Sequence, residues 1–415
     1  MTPSDSTRPD AKLGHLERTA TEPRDKSLHT VVLQSIDEVN EQTRVFRLGI
    51  PRDSPPIRFL PGQWLDVYVP GVSKAGGFTI TSTPQEARLP HPEPADAAGG
   101  DSGATSAKDE EDRNVGSSRG VQKQGPYLEL AVQKSPGNPA AAWLWCNDDS
   151  TILGKELRVR VGGSFVWPPP GINVRSLRRV VFVAGGVGVN PLVSMLSTIA
   201  SSPPPSSSSA TTTTQPEIHF FYSLRDPLAT ATAAPDTEES SKKTKRRLSK
   251  DMLFLDRIAG LFRDGRLRGR LHVFLTNNNA GSSPPSSLPN QKPKNDDGVI
   301  IENEALREQD QEQEEEEEEA KEDHENVIIS KQQAQGEQDK KEETETEIEI
   351  PFHPRRCTVR DDIAPVLPAD KRLAVVYVCG VPAMTDAFVS ELTRPVAQAG
   401  LVGMEPHRVL CEKWW

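Results

Sequence analysis

Hydrophobic and polar residues alternate along several short stretches in the first 170 residues of the chain. The alternation is clear over 44–48 (RVFRL), 65–69 (LDVYV), 128–132 (LELAV) and 157–161 (LRVRV). A period of two with one polar face is typical of antiparallel strands that are exposed on one side. Turns rich in Gly and Pro separate these stretches. The pattern therefore predicts a small antiparallel β-barrel or sandwich.

The pattern changes after residue 179, where apolar residues become nearly continuous. The apolar runs are 180–184 (VVFVA), 218–222 (IHFFY), 271–275 (LHVFL) and 373–378 (LAVVYV). Runs of this kind are typical of strands that are buried on both faces in a parallel sheet. Helical periodicity lies between them and places apolar residues on one face, namely Leu192, Met195, Leu196 and Ile199 after Pro191, and Met384, Phe388 and Leu392 after Pro382. Alternating strands and helices predict an open parallel α/β domain.

Biased tracts interrupt both predicted domains. Of the 415 residues only 35% are hydrophobic and 5% aromatic, which is low for a chain that is packed from end to end. We predict a β-barrel at 28–170 and an α/β domain at 178–415. We interpret the biased tracts as disordered, because they cannot bury enough apolar surface: an N-terminal or targeting segment at 1–27, and insertions at 86–125, 201–215, 228–250 and 278–350.

The net charge and the cysteines exclude several classes of partner and site. The net charge is −11, which argues against nucleic acid as a partner. The four cysteines form no C-x-x-C pair and no metal-ligand spacing, so we expect no metal site and a reducing compartment. No stretch of 18 apolar residues is present, and we expect no membrane span.

The first buried strand of the α/β domain leads into a glycine-rich turn, and a helix opens directly after it. Glycine lets the backbone turn sharply and approach a ligand closely, and the free N–H groups at a helix N-terminus favour a phosphate. A tight turn also needs glycine for its own sake. We interpret the turn as a site for the pyrophosphate of a nucleotide. Its residues are Gly185, Gly186, Val187, Gly188, Asn190 and Pro191.

This turn and four other motifs resemble the ferredoxin–NADP reductase superfamily, in the family's order. They are FLPGQWLDVYVPG (59–71), GGFTITSTP (76–84), RVGGSFVW (160–167), AGGVGVNPL (184–192) and YVCGVPAMTDAF (377–388). The resemblance implies a FAD-binding-type β-barrel followed by a parallel NAD(P)-binding domain. It also implies an oxidoreductase that takes hydride from NAD(P)H, through FAD, to an electron acceptor that the sequence does not identify. The glycine turn and the terminal EKWW indicate one branch of the superfamily. The resemblance to this branch implies a mitochondrial protein, with the cytoplasm as the alternative.

The resemblance assigns FAD to Gly76, Gly77, Phe78 and Thr79. In the family an arginine of this strand holds the pyrophosphate, a tyrosine packs on the flavin and a hydroxyl meets the ring. Here Phe78 can pack and Thr79 can donate, but Gly76 replaces the arginine. At a second phosphate contact, Ala140 replaces the family's Ser or Thr. A lost charge-assisted pair removes about 1.5–3 kcal/mol of binding. The alternative is therefore a flavin-free nucleotide-binding sensor or assembly protein.

The second motif of the α/β domain supplies the candidates for the nicotinamide. The resemblance implies that Cys379 and Gly380 lie beside the reacting carbon, with Pro382 and Met384 in the helix that follows. A buried structural cysteine is the alternative. Trp415 would stack over the flavin, or anchor a terminal strand. The catalytic candidates are thus Thr79, Cys379 and Trp415.

Polar residues follow the second strand of the α/β domain, the place where dinucleotide-binding α/β folds bind the adenosine ribose. Ser223 and Arg225 are the candidates. Arg225 could pair with the 2′-phosphate of NADP, whereas Asp226 would repel that phosphate and could bind the 2′-hydroxyl of NAD. An ordinary surface pair fits equally well. A last alternative for the whole chain is an interaction protein whose acidic run at 307–325 recruits basic partners.

Overall fold

The computed structural model describes seven stretches of the chain. They are residues 14–91, 125–146, 148–201, 215–226, 251–276, 350–394 and 403–413. Most of the four predicted insertions falls outside these stretches, and so does Trp415. None of the helices in these stretches is long and apolar enough to cross a membrane.

The first half of the chain forms a six-stranded antiparallel sheet. Its strands are β1 (His29–Asn40), β2 (Thr43–Gly49), β3 (Trp64–Tyr68), β4 (Gly76–Thr79), β5 (Tyr127–Gln133) and β6 (Glu156–Gly162). The order is β4-β3-β6-β1-β2-β5, and a bridge between Ile80 and Leu130 joins the two outer strands. The sheet therefore closes into a barrel at this bridge.

Three short helices accompany the barrel: α1 (His15–Arg18), α2 (Pro139–Leu144) and α3 (Asp149–Ile152). Along β6 the buried residues Leu157, Val159 and Val161 alternate with more exposed neighbours, as the period of two predicts. Buried alanines and Leu144 of α2 pack on the same barrel core. The prediction of an antiparallel barrel is confirmed.

The second half forms a parallel six-stranded sheet in the order β10-β9-β8-β7-β11-β12. The strands are β7 (Arg179–Gly185), β8 (Glu217–Arg225), β9 (Gly269–Thr276), β10 (Phe352–His353), β11 (Ala374–Gly380) and β12 (Val409–Lys413). Helices α4 (Val189–Ser201) and α5 (Leu255–Arg263) cover one face. Helix α6 (Pro382–Thr393) and a π-helical segment, Val359–Ile363, cover the other. The predicted open parallel α/β domain is confirmed.

Helix α4 lies between the parallel sheet and the barrel, and it is buried on nearly all sides. The Asn190 amide nitrogen donates to the Ala131 carbonyl oxygen at 2.9 Å, and the Ser194 hydroxyl donates to the Ser82 carbonyl oxygen at 2.7 Å. These acceptors belong to the barrel. Helix α4 is therefore part of the interface that holds the two sheets together.

Two predicted boundaries need correction. Residues 14–27, expected to be disordered, lie against the barrel, where Asp25 N donates to the Val161 carbonyl oxygen at 2.8 Å. At the start of the insertion expected over 86–125, residues Glu86–Arg88 form a 3-10 turn with Ala87 buried. Composition suggested disorder in both places, but a few long-range hydrogen bonds and buried side chains fix these residues.

Candidate functional site

The parallel sheet reverses its strand order around β7. Strands β8 and β9 follow β7 on one side, whereas β11 and β12 lie on its other side. Ala184 at the end of β7 is in register with Cys379 at the end of β11. In open α/β sheets, ligands bind outside the carboxyl ends of the strands at such a switch point. The two turns that sequence analysis singled out both lie here.

The glycine turn after β7 exposes its backbone. Gly186 is exposed and has a φ of +53°, in the left-handed region that favours glycine. A Cβ atom on Gly186 would meet nothing within 4 Å. Helix α4 begins immediately afterwards at Val189, with Pro191 buried in its first turn. The start of a 13-residue helix next to an open turn suits the pyrophosphate of a nucleotide.

The turns after β7 and β11 touch each other. A Cβ atom on Gly188 would overlap the carbonyl oxygen of Cys379, and one on Gly185 would lie 2.6 Å from the Met384 sulfur. The Met384 sulfur also lies 3.2 Å from the position of a Cβ atom on Gly380. The structure thus brings together the glycine turn, the Cys379–Gly380 turn and the first turn of α6.

Cys379 itself is fully buried in the hydrophobic cluster that contains Val189. The exposed residue of this turn is Val381, which is 59% exposed between β11 and Pro382 at the start of α6. Sequence reasoning passed over Val381, because an apolar residue after a buried strand suggests more core. Its exposure gives the rim of the site an apolar surface. The catalytic role of Cys379 stays a prediction.

The two ribose candidates differ in placement. Ser223 is half-buried and in register with Gly185, so it lies beside the glycine turn. Arg225 lies two residues further along β8 and is exposed. Only Ser223 is therefore held close to the turn by strand pairing, and the choice between NAD and NADP stays a prediction.

Asn190 faces the barrel through its amide nitrogen, as described above. Its Oδ1 atom is buried and accepts no hydrogen bond from the residues that the structure describes. An unsatisfied buried acceptor costs about 1–3 kcal/mol. A donor on a bound molecule at this end of α4 would satisfy it. Asn190 thus has a structural contact with the barrel, and its contact with a nucleotide stays a prediction.

The four residues assigned to flavin are covered by the chain itself. Phe78 belongs to the barrel core and is 7% exposed, and Thr79 is 2% exposed. A Cβ atom on Gly76 would lie 2.8 Å from that of Ala140, and one on Gly77 would overlap the His15 ring. Neither face of β4 is open to a flavin ring. The residues present do not fit FAD in the manner that the resemblance implies.

The second predicted phosphate contact is occupied as well. The Asn138 side chain accepts hydrogen bonds from the backbone N–H groups of Ala140 and Ala141, at 3.1 and 3.3 Å. Asn138 is thus the N-cap of α2. These N–H groups are already satisfied, so a phosphate would have to displace the asparagine.

Asp66 is the most enclosed ionic group of the barrel, with 0% exposure. Its carboxylate accepts from His15 Nε2 at 3.0 Å, Arg24 Nε at 3.1 Å and the Arg160 guanidinium at 2.6 Å. Burial raises the pKa of Asp66, but these hydrogen bonds outweigh it and hold the pKa below its ordinary value. Sequence analysis did not find this cluster, because Asp66 resembles any polar residue of an alternating strand.

Within the stretches that the structure describes, no three or more His, Cys, Asp or Glu side chains are grouped to hold a metal ion.

Comparison with known proteins gives sequence relatives. The chain is 30% identical over 219 residues to a protein of Bos taurus named oxidoreductase NAD-binding domain-containing protein 1, covering 53% of this chain and 56% of the relative. It is 33% identical over 184 residues to the protein of that name from Danio rerio, covering 44% and 52%. The chain spans about half the length of the curated relatives it matches. No family model matches it.

Two solved structures that are similar to the chain have TM-scores below 0.5. A flavohemoglobin from Malassezia yamatoensis with bound FAD and heme has a TM-score of 0.47 at 11% identity, covering 96% of this chain and 63% of that one. A ferredoxin NADP+ reductase from Neisseria gonorrhoeae with bound FAD and NADP has a TM-score of 0.43 at 10% identity, covering 94% and 99%. The fold assignment therefore rests on the strand orders described above. In sequence the chain is similar to proteins named oxidoreductase NAD-binding domain-containing protein 1, and its barrel followed by a parallel sheet has the domain order expected from its resemblance to ferredoxin–NADP reductases.

Proposed function

We propose that this chain binds NADH or NADPH at the two touching turns and acts as an oxidoreductase that takes hydride from it. One observation carries the proposal: the glycine turn after β7 lies directly on the Cys379–Gly380 turn of β11, at the switch point of the parallel sheet. In support of the proposal, the exposed backbone at Gly186 offers an anion site, and the exposed Val381 offers an apolar rim on the neighbouring turn.

The residues of the two touching turns have different roles in binding the nucleotide. The backbone at Gly186 and the start of α4 bind the pyrophosphate, because N–H groups and the helix dipole favour negative charge. Ser223 offers a hydroxyl to the ribose beside the turn. Val381 and Met384 give apolar surface that orients the nicotinamide and excludes water. When bound, the nicotinamide supplies the hydride, and the protein contributes orientation and electrostatics.

The electron acceptor stays unassigned. FAD is the acceptor that the resemblance implies, but the covered β4 strand and the Asn138 cap do not fit it. We therefore assign no step to flavin in the described arrangement. The compartment also stays a proposal, with mitochondria first and the cytoplasm second.

NADH binding to the purified full chain tests the proposal. We expect saturable enhancement of NADH fluorescence, lost in Gly188→Trp, since even a Cβ atom at position 188 overlaps the Cys379 carbonyl. Oxidation of NADH by ferricyanide, with and without added FAD, then measures turnover. Absence of NADH and NADPH binding to a folded chain would refute the proposal.

A second candidate function is a nucleotide-binding sensor or assembly protein without flavin. Two contacts favour it: His15 covers Gly77, and Asn138 occupies the N–H groups at the start of α2. NADH binding without turnover, whether or not FAD is present, would select this candidate. The third interpretation, an acidic interaction segment within 278–350, falls outside the described residues apart from Ile350.

A further inference from the structure

We propose that a cavity at the amino edge of the parallel sheet binds a small anion that carries two or more phosphate groups. The cavity has a volume of about 520 Å³. Residues that precede or begin β7, β8 and β9 line it together with one proline, namely Arg178, Arg179, Gln215, Glu217, Arg268 and Pro368. The proposal goes beyond nucleotide binding at the two touching turns and does not depend on it.

The cavity lies at the end of the sheet that is opposite to those turns. Arg179 is the first residue of β7, and Gly185 is its last. Because each residue of a strand adds about 3.3 Å, these two ends are about 20 Å apart. The glycine turn follows the carboxyl end of β7. A phosphate bound at that turn would therefore leave the cavity free.

Backbone hydrogen bonds hold two of the arginines on either side of β8. The Glu217 N–H group donates to the Arg178 carbonyl oxygen, and the Ile218 N–H group donates to the Arg268 carbonyl oxygen, both at 2.8 Å. The Arg178 N–H group also donates to the Leu373 carbonyl oxygen at 2.8 Å. Arg178 and Arg268 thus have exposed side chains on backbone that strand pairing fixes.

The lining of the cavity carries an excess of positive charge, with three guanidinium groups and one carboxylate. The carboxylate of Glu217 is already paired, since it lies 3.2 Å from Arg179 Nη2 and 3.1 Å from His219 Nε2. No carboxylate of the described residues lies within 4.0 Å of the Arg178 or Arg268 side-chain nitrogens. Two positive charges at the cavity are therefore left without a counterion from this part of the chain.

Two free guanidinium groups favour an anion with phosphate groups. Each guanidinium presents a planar set of N–H donors that can bind two oxygens of one phosphate. A concave surface with charge of one sign also concentrates oppositely charged ligands. Pro368 is the one apolar residue among the six that line the cavity, so an apolar ligand would gain little there.

The spacing of the two arginines indicates more than one phosphate. Arg178 and Arg268 flank β8, so their backbones are about 10 Å apart, which is two strand spacings. One phosphate for each guanidinium then requires a ligand with at least two such groups. The volume of the cavity also lies within the range of small-molecule sites, about 300–1,000 Å³. The ligand class is therefore a short polyphosphate or a small molecule with two phosphate groups.

The test measures binding of tripolyphosphate to the full chain by isothermal titration calorimetry at constant ionic strength. The cavity variant is Arg178→Ala/Arg268→Ala. Its matched control is Arg58→Ala/Arg158→Ala, which removes the same charge from exposed positions of the barrel. The titration is repeated with saturating NADH, and thermal unfolding shows that each variant is folded.

We expect the cavity variant to bind tripolyphosphate about tenfold or more weakly, because it loses charge-assisted hydrogen bonds. The barrel control should bind as the full chain does, and NADH should not displace the anion. A charge-preserving variant, Arg178→Lys/Arg268→Lys, should have intermediate affinity, since lysine keeps the charge but not the planar set of donors. This variant decides the question if the alanine variant does not fold.

Several results would overturn the proposal. One is the absence of tripolyphosphate binding to the full chain, and another is equal binding by the full chain and both cavity variants. An equal loss in the barrel control would show attraction to net charge alone. Displacement by NADH would place the anion at the glycine turn. Absence of NADH binding would refute the proposed function and leave the comparison of the cavity variant with its control unaffected.

Discussion

A Cβ atom on Gly188 would overlap the carbonyl oxygen of Cys379, so the turns after β7 and β11 meet at a position that only glycine can occupy. The contact joins two strands that are far apart in sequence but adjacent in the sheet. It holds together the two turns at which we place the nucleotide.

Gly188→Ala should therefore separate the two turns. We expect a loss of about 1–3 kcal/mol in the free energy of unfolding from overpacking, and weaker NADH binding. The control is Gly154→Ala in the barrel, where a Cβ atom has room and only the left-handed φ of +79° costs energy, about 1–2 kcal/mol. Urea unfolding and NADH titration measure both effects. Unchanged NADH affinity in folded Gly188→Ala would contradict the site.

The ion pair between Arg257 of α5 and Glu129 of β5 should stabilise the interface between the two sheets. Arg257 lies 2.7 Å from Glu129, which is buried and also accepts from the Thr81 hydroxyl. Arg257→Met should lower the free energy of unfolding by about 1–3 kcal/mol, because it leaves a buried carboxylate without its cation. Arg263→Met, at an exposed position of α5, should change it by less than about 0.5 kcal/mol. Equal effects in urea unfolding would show that the pair is not important.

Removing the charge of Asp66 should weaken the barrel. Asp66→Asn leaves His15, Arg24 and Arg160 without their shared carboxylate, and we expect a loss of about 3–5 kcal/mol. Asp25→Asn, at an exposed position, is the control. The depressed pKa of Asp66 means that its contribution is present above the ordinary carboxyl pKa and is lost as pH falls through the lower folded value. A stability difference between wild type and Asp66→Asn that stays constant in acid would contradict this account.

His272 should make the protein less stable as the solution is acidified. Burial lowers its pKa, and His353, His219 and Arg270 lower it further, against a smaller opposing effect of Asp362. Below the ordinary pKa of about 6.5 the unfolded chain therefore binds a proton that the folded chain does not. The free energy of unfolding consequently decreases as the pH is lowered.

His272→Phe retains a ring that can stack on Phe221, whose centroid lies 5.0 Å from that of His272. The variant should lose less stability than wild type between about pH 7 and pH 5. Values at higher pH, where histidine is neutral in both states, provide the reference. An unchanged slope of unfolding free energy against pH would contradict the prediction.

Local patterns predicted the two sheets well, because period two and continuous apolar runs depend on which faces of each strand are buried. The glycine turn was also predictable, since the strand, the turn and the helix are neighbours in sequence. Strand pairing between 184 and 379 then brought the second turn to the first, as the parallel sheet requires.

The contact of residues 14–27 with the barrel was not predictable in the same way. His15 and Asp66 are 51 residues apart, and nothing in the composition of residues 14–27 signals a buried contact. Asn138 likewise has a role that the missing hydroxyl at Ala140 did not suggest, because its side chain, two residues earlier, accepts from the N–H groups of Ala140 and Ala141. Such contacts depend on three-dimensional placement, whereas periodicity reports only burial.

Helix α4 couples ligand binding at the parallel sheet to the docking of that sheet on the barrel. Its first turn borders the glycine turn, whereas Asn190 and Ser194 bond to the barrel. By thermodynamic linkage, a ligand that stabilises the start of α4 also favours the docked arrangement of the halves, by the same free energy with which docking favours the ligand. Nucleotide binding at the start of α4 would then strengthen the docking of the two halves, and undocking would weaken nucleotide binding.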